Sequence, residues 1–327
     1  ITHGIIAKGY PYQPWHKIQL SMIQTYVNKT KRGEVSPAEL YIFDEGHHAA
    51  AATFDYIFDF APEAHFLAVT ATPERPDGKP LSKRFTKLVC GPSPRWLMTE
   101  INPKTGRSYL VPIICYSPSE RLDMKGVRKG LNGDYSPSQL EAVTRKSKIV
   151  GDATRHYKQY CDGAPALAFC VSVEHAKAVA EEFSAAGIPA KAIYGALSQS
   201  QQEAIYDAFA KGYIKVITSC DMISEGVDLP EVSAIFLLRK TKSLILFLQA
   251  VGRGLRSAPG KEYCLLFDHV GLIEDFGMPD VARTWSLDGN SVIDKEADQW
   301  KQCQSCYMWI KMTARSCKAC GTKCGGD

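Results

Sequence analysis

The 327-residue sequence predicts an α/β protein with two parallel-sheet domains, the first of them incomplete, followed by a small Cys-rich C-terminal module. Three observations carry that prediction. Short runs of β-branched and aromatic residues alternate with stretches of helical periodicity, the pattern of parallel α/β architecture. The alternation falls into two blocks separated by a segment rich in Ser, Pro, Gly and charge. Five of the eleven cysteines lie in residues 301–327.

In the first block, Leu40 to Phe43 and Phe66 to Val69 read as buried strands, each running into a polar cluster where the functional loops of such sheets sit. Asn102 to Arg107 has the residues of a hairpin turn. The second block predicts strands at Ala166–Cys170, Lys191–Tyr194, Lys215–Thr218, Ala234–Leu238 and Tyr263–Phe267. Between the first two, Ala176, Val179, Ala180 and Phe183 fall at i, i+3, i+4 and i+7 after Ser172, and Gly187 and Pro189 stop the helix. Ser198 with Gln201 forms a capping box for the next helix, which carries Ile205, Ala208 and Phe209 inward and ends near Gly212. The expected organisation is a first domain over residues 1–117, a linker over 118–146 with a helix beginning near Ser138, a second domain over 147–271, a connector over 272–300 and the Cys module over 301–327.

Composition excludes several classes. Apolar residues at 45% and charged residues at 23% are ordinary globular values, not those of a disordered or fibrous chain. The 39 Lys and Arg against 35 Asp and Glu leave +4, too little for whole-chain charge to argue for a polyanionic partner. No apolar run approaches the roughly 18 residues a membrane-spanning helix needs. Six cysteines, at 90, 115, 161, 170, 220 and 264, stand singly and read as small buried hydrophobes, which places the chain in a reducing, cytoplasmic compartment. Residue 1 is Ile with no signal-peptide pattern after it, so the start reads as a truncation.

The chemistry concentrates at strand ends. Asp44 and Glu45, in Tyr41-Ile-Phe-Asp44-Glu45-Gly46-His47, put two carboxylates after a buried strand, as a Mg²⁺-nucleotide site requires: one to hold the metal through water, one to activate the attacking water. An acidic helix N-terminus explains that tetrapeptide equally well. Thr70 and Thr72 lie at the end of the next strand. In the second block, Thr218 precedes Glu225-Gly226-Val227-Asp228, where Gly226 permits close backbone approach and Asp228 can accept from a ribose hydroxyl. Gln249, Arg253 and Arg256 fall at i, i+4 and i+7, on one face of a helix whose other face carries Leu244, Leu248, Val251 and Leu255. Two fixed guanidinium groups on one face suit a transferring phosphoryl group, and Gly252 and Gly254 point to a close approach.

Taken in order, Asp44-Glu45-Gly46-His47, Thr70-Ala71-Thr72, Glu225-Gly226-Val227-Asp228 and Gln249 to Arg256 resemble motifs II, III, V and VI of superfamily 2 helicases. Phe267-Asp268-His269, Trp285-Ser-Leu-Asp288 and the terminal Cys pairs are similar to a bacterial and phage DEAD/DEAH-box (DExH) subgroup that includes the RadD proteins. The resemblance implies two RecA-like domains with ATP and Mg²⁺ bound between them. By it, Asp44 coordinates Mg²⁺, Glu45 activates water, and His47 links nucleotide state to Gln249. Thr70 and Thr72 join hydrolysis to movement, Gly226 and Asp228 meet the nucleotide, and Arg253 and Arg256 are arginine fingers. Ser21 to Thr25, with Gln24 and Thr25, resembles the region that contacts the nucleic-acid backbone, and Thr218 is expected there too. The implied activity is ATP-dependent movement on nucleic acid, DNA rather than RNA, in a bacterial cytoplasm or nucleoid or a phage-infected cell, with a single-strand-binding, repair or replication protein as partner. A restriction-system translocase and a non-catalytic nucleic-acid-binding module are the alternatives. One element of the family pattern is missing: no Gly-x-x-x-x-Gly-Lys-Ser/Thr occurs in the 327 residues.

The tail reads Cys303-Gln-Ser-Cys306, then Cys317-Lys-Ala-Cys320-Gly321, with Cys324 beyond. Paired Cys-x-x-Cys knuckles predict tetrahedral Zn²⁺ through Cys303, Cys306, Cys317 and Cys320, with Cys324 as an alternative to Cys320. Trp309, Lys311 and Arg315 lie between the knuckles, where the Trp either packs or meets nucleic acid.

Overall fold

A computed structural model describes the chain except residues 1, 49–51, 76–78, 119–121, 131–133, 147–148, 162, 221–228, 230, 290–291, 294–298 and 325–327. It divides into two compact units: residues 1–90 with 285–291, and residues 91–284 with 292–327.

In unit 1, β1 (Gly4–Ile6) pairs in parallel with β2 (Gln19–Ser21), which leads into α1 (Ile23–Lys31). Strand β3 (Leu40–Phe43) is followed by α2 (Ala52–Phe60) and pairs in parallel with β4 (His65–Ala68). Tyr41 and Phe43 enter a core shared with Tyr26 and Val27 of α1 and Ile57 and Phe58 of α2. Phe66 joins these rings, its centroid 4.4 Å from that of Phe58 and 5.2 Å from that of Tyr41. The sequence reads both strands as buried on both faces, and here the structure differs. Ile42 is 61% exposed and Leu67 50%, because side chains alternate along a strand and, among the described residues, both helices serve the same core. The segment 285–291 completes the unit: the Leu81 and Ser82 amides donate to the Leu287 carbonyl at 2.6 and 3.1 Å, and the Ser82 hydroxyl donates to Asp288 Oδ1 at 2.5 Å.

Unit 2 begins with α3 (Pro94–Thr99) and the hairpin β5 (Ile101–Asn102) and β6 (Arg107–Ser108), then β7 (Ile113–Tyr116), α4 (Pro137–Lys146) and α5 (Ile149–His156). Then follow β8 (Ala166–Phe169), α6 (Val173–Ala185), β9 (Ala190–Ile193), α7 (Gln199–Ala210), β10 (Val216–Ser219) and β11 (Ala234–Leu237). Helix α8 (Leu244–Leu255), β12 (Cys264–Asp268) and α9 (Leu272–Phe276) close the layer. The strands form one parallel sheet in the order β7-β12-β11-β8-β10-β9. From β8 the chain first builds β9 and β10 on one side and then β11 and β12 on the other, so the sheet reverses direction between β8 and β11. The crevice at the carboxyl ends of strands flanking such a reversal is where α/β sheets hold ligands.

The local signals hold. Ser172 caps α6 by accepting from the His175 amide, Ala176, Val179 and Phe183 are fully buried, and the Ser198–Gln201 capping box is formed. The single cysteines divide: Cys115, Cys161, Cys170 and Cys264 are buried and burial raises their thiols, whereas Cys90 is exposed and Cys220 half-buried.

The units do not follow the boundaries expected from the sequence. Strand β7 pairs with β12, Ile113 opposite Cys264, which carries residues 91–117 into unit 2. Residues 285–291 leave the expected connector for unit 1, from between the short antiparallel strands β13 (Arg283–Thr284) and β14 (Val292–Ile293). The Cys module also belongs to unit 2. Its strands β15 (Trp300–Gln302) and β16 (Trp309–Lys311) pair antiparallel, Met308 bridges to Tyr116 at the end of β7, and Trp300, Met308 and Trp309 pack on the main core. Trp309 is therefore a packing residue, its indole N–H donating to Ser117 Oγ at 2.8 Å.

Candidate functional site

The Asp44-Glu45-Gly46-His47 turn follows β3 directly. Asp44 is exposed and its Oδ1 accepts from the Glu45 amide at 2.9 Å. Glu45 has φ 49°, a left-handed backbone that costs a non-glycine residue about 1–3 kcal/mol. Its surroundings hold it there. Gly46 donates its amide to the Val69 carbonyl at 2.8 Å, and a Cβ at Gly46 would meet the Ala68 Cβ at 2.5 Å, so only glycine lets the turn lie against β4. The buried His47 places Nδ1 3.2 Å from Glu45 Oε2 and 3.0 Å from Thr70 Oγ1. Thr70 Oγ1 in turn accepts from the Thr72 amide at 3.1 Å. The Thr72 hydroxyl is buried with no hydrogen-bond partner among the described residues. Carboxylate, imidazole and both threonines thus form one connected group across the ends of two strands. Asp44, an exposed hard oxygen donor, suits Mg²⁺, which takes one or two carboxylates and fills its other positions with water and phosphate.

In unit 2, α8 carries Gln249 and Arg253. Ser243 caps it, accepting from the Leu246 amide at 3.3 Å. The buried face is Ile245, Phe247, Ala250, Val251, Gly254 and Leu255, and the expected Leu244 and Leu248 are only partly buried. Gly254 accounts for the close approach: a Cβ there would collide with Cys264 Sγ and lie 2.8 Å from Ile235 Cγ1, so the glycine seats the helix on β11 and β12. A Cβ at Gly252 would meet nothing. Arg256 departs from its expected place. The helix ends at Leu255, and Arg256 has φ −61° and ψ 135°, bridging to Leu110. Its carbonyl accepts from Lys261 Nζ at 2.8 Å, a lysine that burial lowers to about 8. The single helical face with both arginines is therefore not formed, because the bridge to Leu110 draws residue 256 into extended backbone.

Gly226 and Asp228 lie outside the described residues. Thr218 requires a correction: it is fully buried in β10 and donates to the Ala176 carbonyl at 2.7 Å, tying strand to helix α6, with no surface for nucleic acid. Gln24 is exposed and Thr25 half-exposed in the first turn of α1, with Gln24 Nε2 3.4 Å from Thr53 Oγ1.

The Cys module repeats one geometry twice. In the first knuckle the Cys303 amide donates to the Met308 carbonyl and the Tyr307 amide to the Cys303 carbonyl, both at 2.9 Å. In the second, Cys317 donates to Thr322 at 2.8 Å and Gly321 to Cys317 at 2.9 Å. The residue after each second cysteine is left-handed, Tyr307 at φ 59° and Gly321 at φ 73°. These turns bring Sγ of Cys303, Cys306, Cys317 and Cys320 within 4.8 Å of one another. Four thiolates about 2.3 Å from one Zn²⁺ would lie just under 4 Å apart, so the set fits a tetrahedral zinc. The Thr322 hydroxyl, bonded to Cys320 at 3.2 Å, holds that thiol below its ordinary range.

The six-stranded parallel sheet of unit 2 and, in unit 1, the parallel β3–β4 pair have the α/β architecture of RecA-like domains, and comparison with known proteins agrees. Residues 152–258 match the helicase conserved C-terminal domain, and residues 5–75 match the family described as type III restriction enzyme, res subunit. A 51.5 kDa protein of Lactococcus phage (isolate 7-9) is 30% identical over 325 residues, covering 98% of this chain and 68% of the phage protein. A Saccharomyces cerevisiae protein assigned as the ATP-dependent helicase IRC3 is 27% identical over 266 residues, covering 77% of this chain but 37% of the yeast protein. Among solved structures, a fragment assigned as the HsdR subunit of a type I restriction enzyme from Vibrio vulnificus YJ016 shares the fold with TM-score 0.62 at 19% identity, over 85% of this chain and 52% of that one. The chain belongs to the DExH helicases of superfamily 2.

Proposed function

We propose that the chain is the greater part of an ATP-driven motor that moves along nucleic acid, DNA in preference to RNA, in the cytoplasm of a bacterium or a phage-infected cell. The observation that carries this reading is the Glu45–His47–Thr70 connection, which ties a water-activating carboxylate to the end of the neighbouring strand. When bound, Mg²⁺ with ATP supplies charge neutralisation and an in-line phosphoryl centre. Asp44 would hold the metal, and Glu45 would orient the attacking water and accept its proton. His47 and Thr70 report that event to the strand end, Thr72 extends the path, and Arg253 stabilises the transferring phosphoryl with Gln249 beside it on α8 and Arg256 just beyond. Gly226 and Asp228 meet the nucleotide, and Gln24 and Thr25 the nucleic-acid backbone, where a single-strand-binding, repair or replication protein works alongside.

The phosphate cradle is not among these 327 residues, and its backbone amides and lysine supply the main grip on the β and γ phosphates. The expected result is that the chain alone releases no phosphate above background with or without single-stranded DNA, while the polypeptide that unites it with a phosphate loop does so and is stimulated by DNA. Stimulated turnover by the 327 residues alone would overturn this division of labour. A second reading, a translocase that moves on duplex without separating strands, is favoured by the match to the restriction-enzyme family over residues 5–75. Displacement of a third strand from a triplex without release of single strands from a forked duplex would decide for it.

We infer further that the Cys module binds one Zn²⁺ through Cys303, Cys306, Cys317 and Cys320, the sheet edge and the metal together fixing it to unit 2. Elemental analysis after anaerobic purification with zinc supplied should give one Zn²⁺ per chain. Cys317→Ser should empty the site and Cys324→Ser should leave it full. Retention of zinc by Cys320→Ser, with loss in Cys324→Ser, would transfer the fourth bond to Cys324.

A further inference from the structure

Helix α8 is held from a part of the chain that no functional motif covers. Between β11 and α8 runs Arg239-Lys240-Thr241-Lys242-Ser243, and its first four residues are all anchored. Lys240 bridges to Asp275 at 2.7 Å and donates to the Gly271 carbonyl at 2.9 Å. The other three converge on Asp134, a carboxylate only 8% exposed in the segment that leads to α4. Its Oδ2 accepts from the Thr241 hydroxyl at 2.7 Å and lies 3.5 Å from Arg239 Nη2. Its Oδ1 accepts from the Lys242 amide at 2.8 Å and from the Tyr135 amide at 2.8 Å. Lys242 Nζ sits 4.9 Å over the Tyr135 ring, and the Asp134 carbonyl accepts from the Gly130 amide at 2.7 Å, so the carboxylate is itself held in place.

Two connections lead outward from this carboxylate. Through Thr241, whose Oγ1 accepts from the Ser243 amide at 3.0 Å, it reaches the N-cap of α8 and so the helix bearing Gln249 and Arg253. Through Arg239, which donates to the Cys220 carbonyl at 3.2 Å, it reaches the residue that opens the segment containing Gly226 and Asp228. Arg239, Thr241 and Cys220 also line a cavity of about 230 Å³ with Phe169, Leu237 and Phe247. That cavity lies at the carboxyl ends of β8, β10 and β11, beside the point where the sheet reverses.

We propose that Asp134 is a positioning residue for phosphoryl transfer, a buried anion that fixes the start of the arginine helix, and through Arg239 the Cys220 end of β10, in one frame. This rests on the motor reading above. A buried carboxylate is retained at such a place only with its charge and hydrogen-bond capacity met, and here at least four donors among the described residues meet them. Removing it takes the acceptor from the buried Thr241 hydroxyl and from the Lys242 amide and lets α8 start in more than one place. Displacing a catalytic group by as little as an ångström costs about a hundredfold in rate.

The test uses a polypeptide that unites these 327 residues with a phosphate loop. Asp134→Ala should lower kcat for DNA-stimulated ATP hydrolysis about a hundredfold with the KM for ATP changed by less than about threefold. Asp134→Asn keeps the size and one carbonyl acceptor for the Lys242 amide, so it should recover about tenfold of that loss. Val179→Ala, a fully buried change in α6, serves as a control for lost stability alone. A kcat for Asp134→Ala within about twofold of wild type, or an equal kcat loss in Val179→Ala at the same melting temperature, would refute the assignment. If the unaltered protein shows no DNA-stimulated turnover, the motor reading fails and takes this inference with it. Turnover that is present but indifferent to Asp134 refutes this inference alone.

Discussion

Replacing Glu45 by Gln in the whole protein is expected to lower ATP turnover by about 10²–10⁴ while leaving nucleotide affinity within a few-fold, because a general base contributes on that order. The amide is isosteric, so the left-handed turn at φ 49° and the seat of Gly46 against Ala68 survive. What is lost is proton acceptance and the charge facing His47 Nδ1 at 3.2 Å. Binding by equilibrium dialysis and turnover by phosphate release separate the two effects. A Glu45→Gln protein that hydrolyses ATP at the wild-type rate would remove Glu45 from the chemistry.

Arg253→Ala should cost about 10³ or more in kcat, the scale measured for a guanidinium that stabilises the transferring phosphoryl group. The helix itself should be undisturbed, since its seat on the sheet is made by Gly254 and the buried face around Val251 and Leu255. Arg253→Lys should restore little, because an ammonium cannot reproduce the planar fork of donors. Single-turnover measurement isolates the chemical step. Loss of ATP binding with an unchanged single-turnover rate would reassign Arg253 to ground-state binding.

Much of unit 2 was legible because its signals are local. Helix caps at Ser172 and Ser198, the 3.6-residue spacing of Ala176 to Phe183 and the apolar strand runs each depend on a few neighbouring residues, and the strands appear within a residue or so of their predicted limits. What the sequence hid is long-range. Nothing near Ile113 announces that it pairs with Cys264, so β7 read as part of the first domain. Arg256 read as helical because its spacing from Arg253 and Gln249 is helical, whereas a bridge to Leu110 sets its backbone. Thr218 looked like a ligand-facing strand end because a hydroxyl there can face either way, and it faces α6. For the candidate site, residue type singles out Asp44 and Glu45 and the family resemblance adds His47 and Thr70, but the imidazole's double contact and the strained Glu45 backbone required coordinates. Asp134 carries no motif, and a lone Asp in a polar stretch gives no sign that at least four donors converge on it.

The return of residues 285–291 to unit 1 sets an order on synthesis. Ser82 leaves the ribosome 206 positions ahead of Asp288, its hydrogen-bond partner. At about 5–20 residues per second, that separation corresponds to roughly 10–40 s during which unit 1 exists without its last segment. The strands of unit 1, β1 to β4, are made by Ala68, and all six strands of the unit 2 sheet are translated before the contacts of Leu287 and Asp288 with residues 81–82 can form. Unit 1 can pair its strands early, but its closing contacts at Leu81 and Ser82 wait for residues translated after the unit 2 sheet.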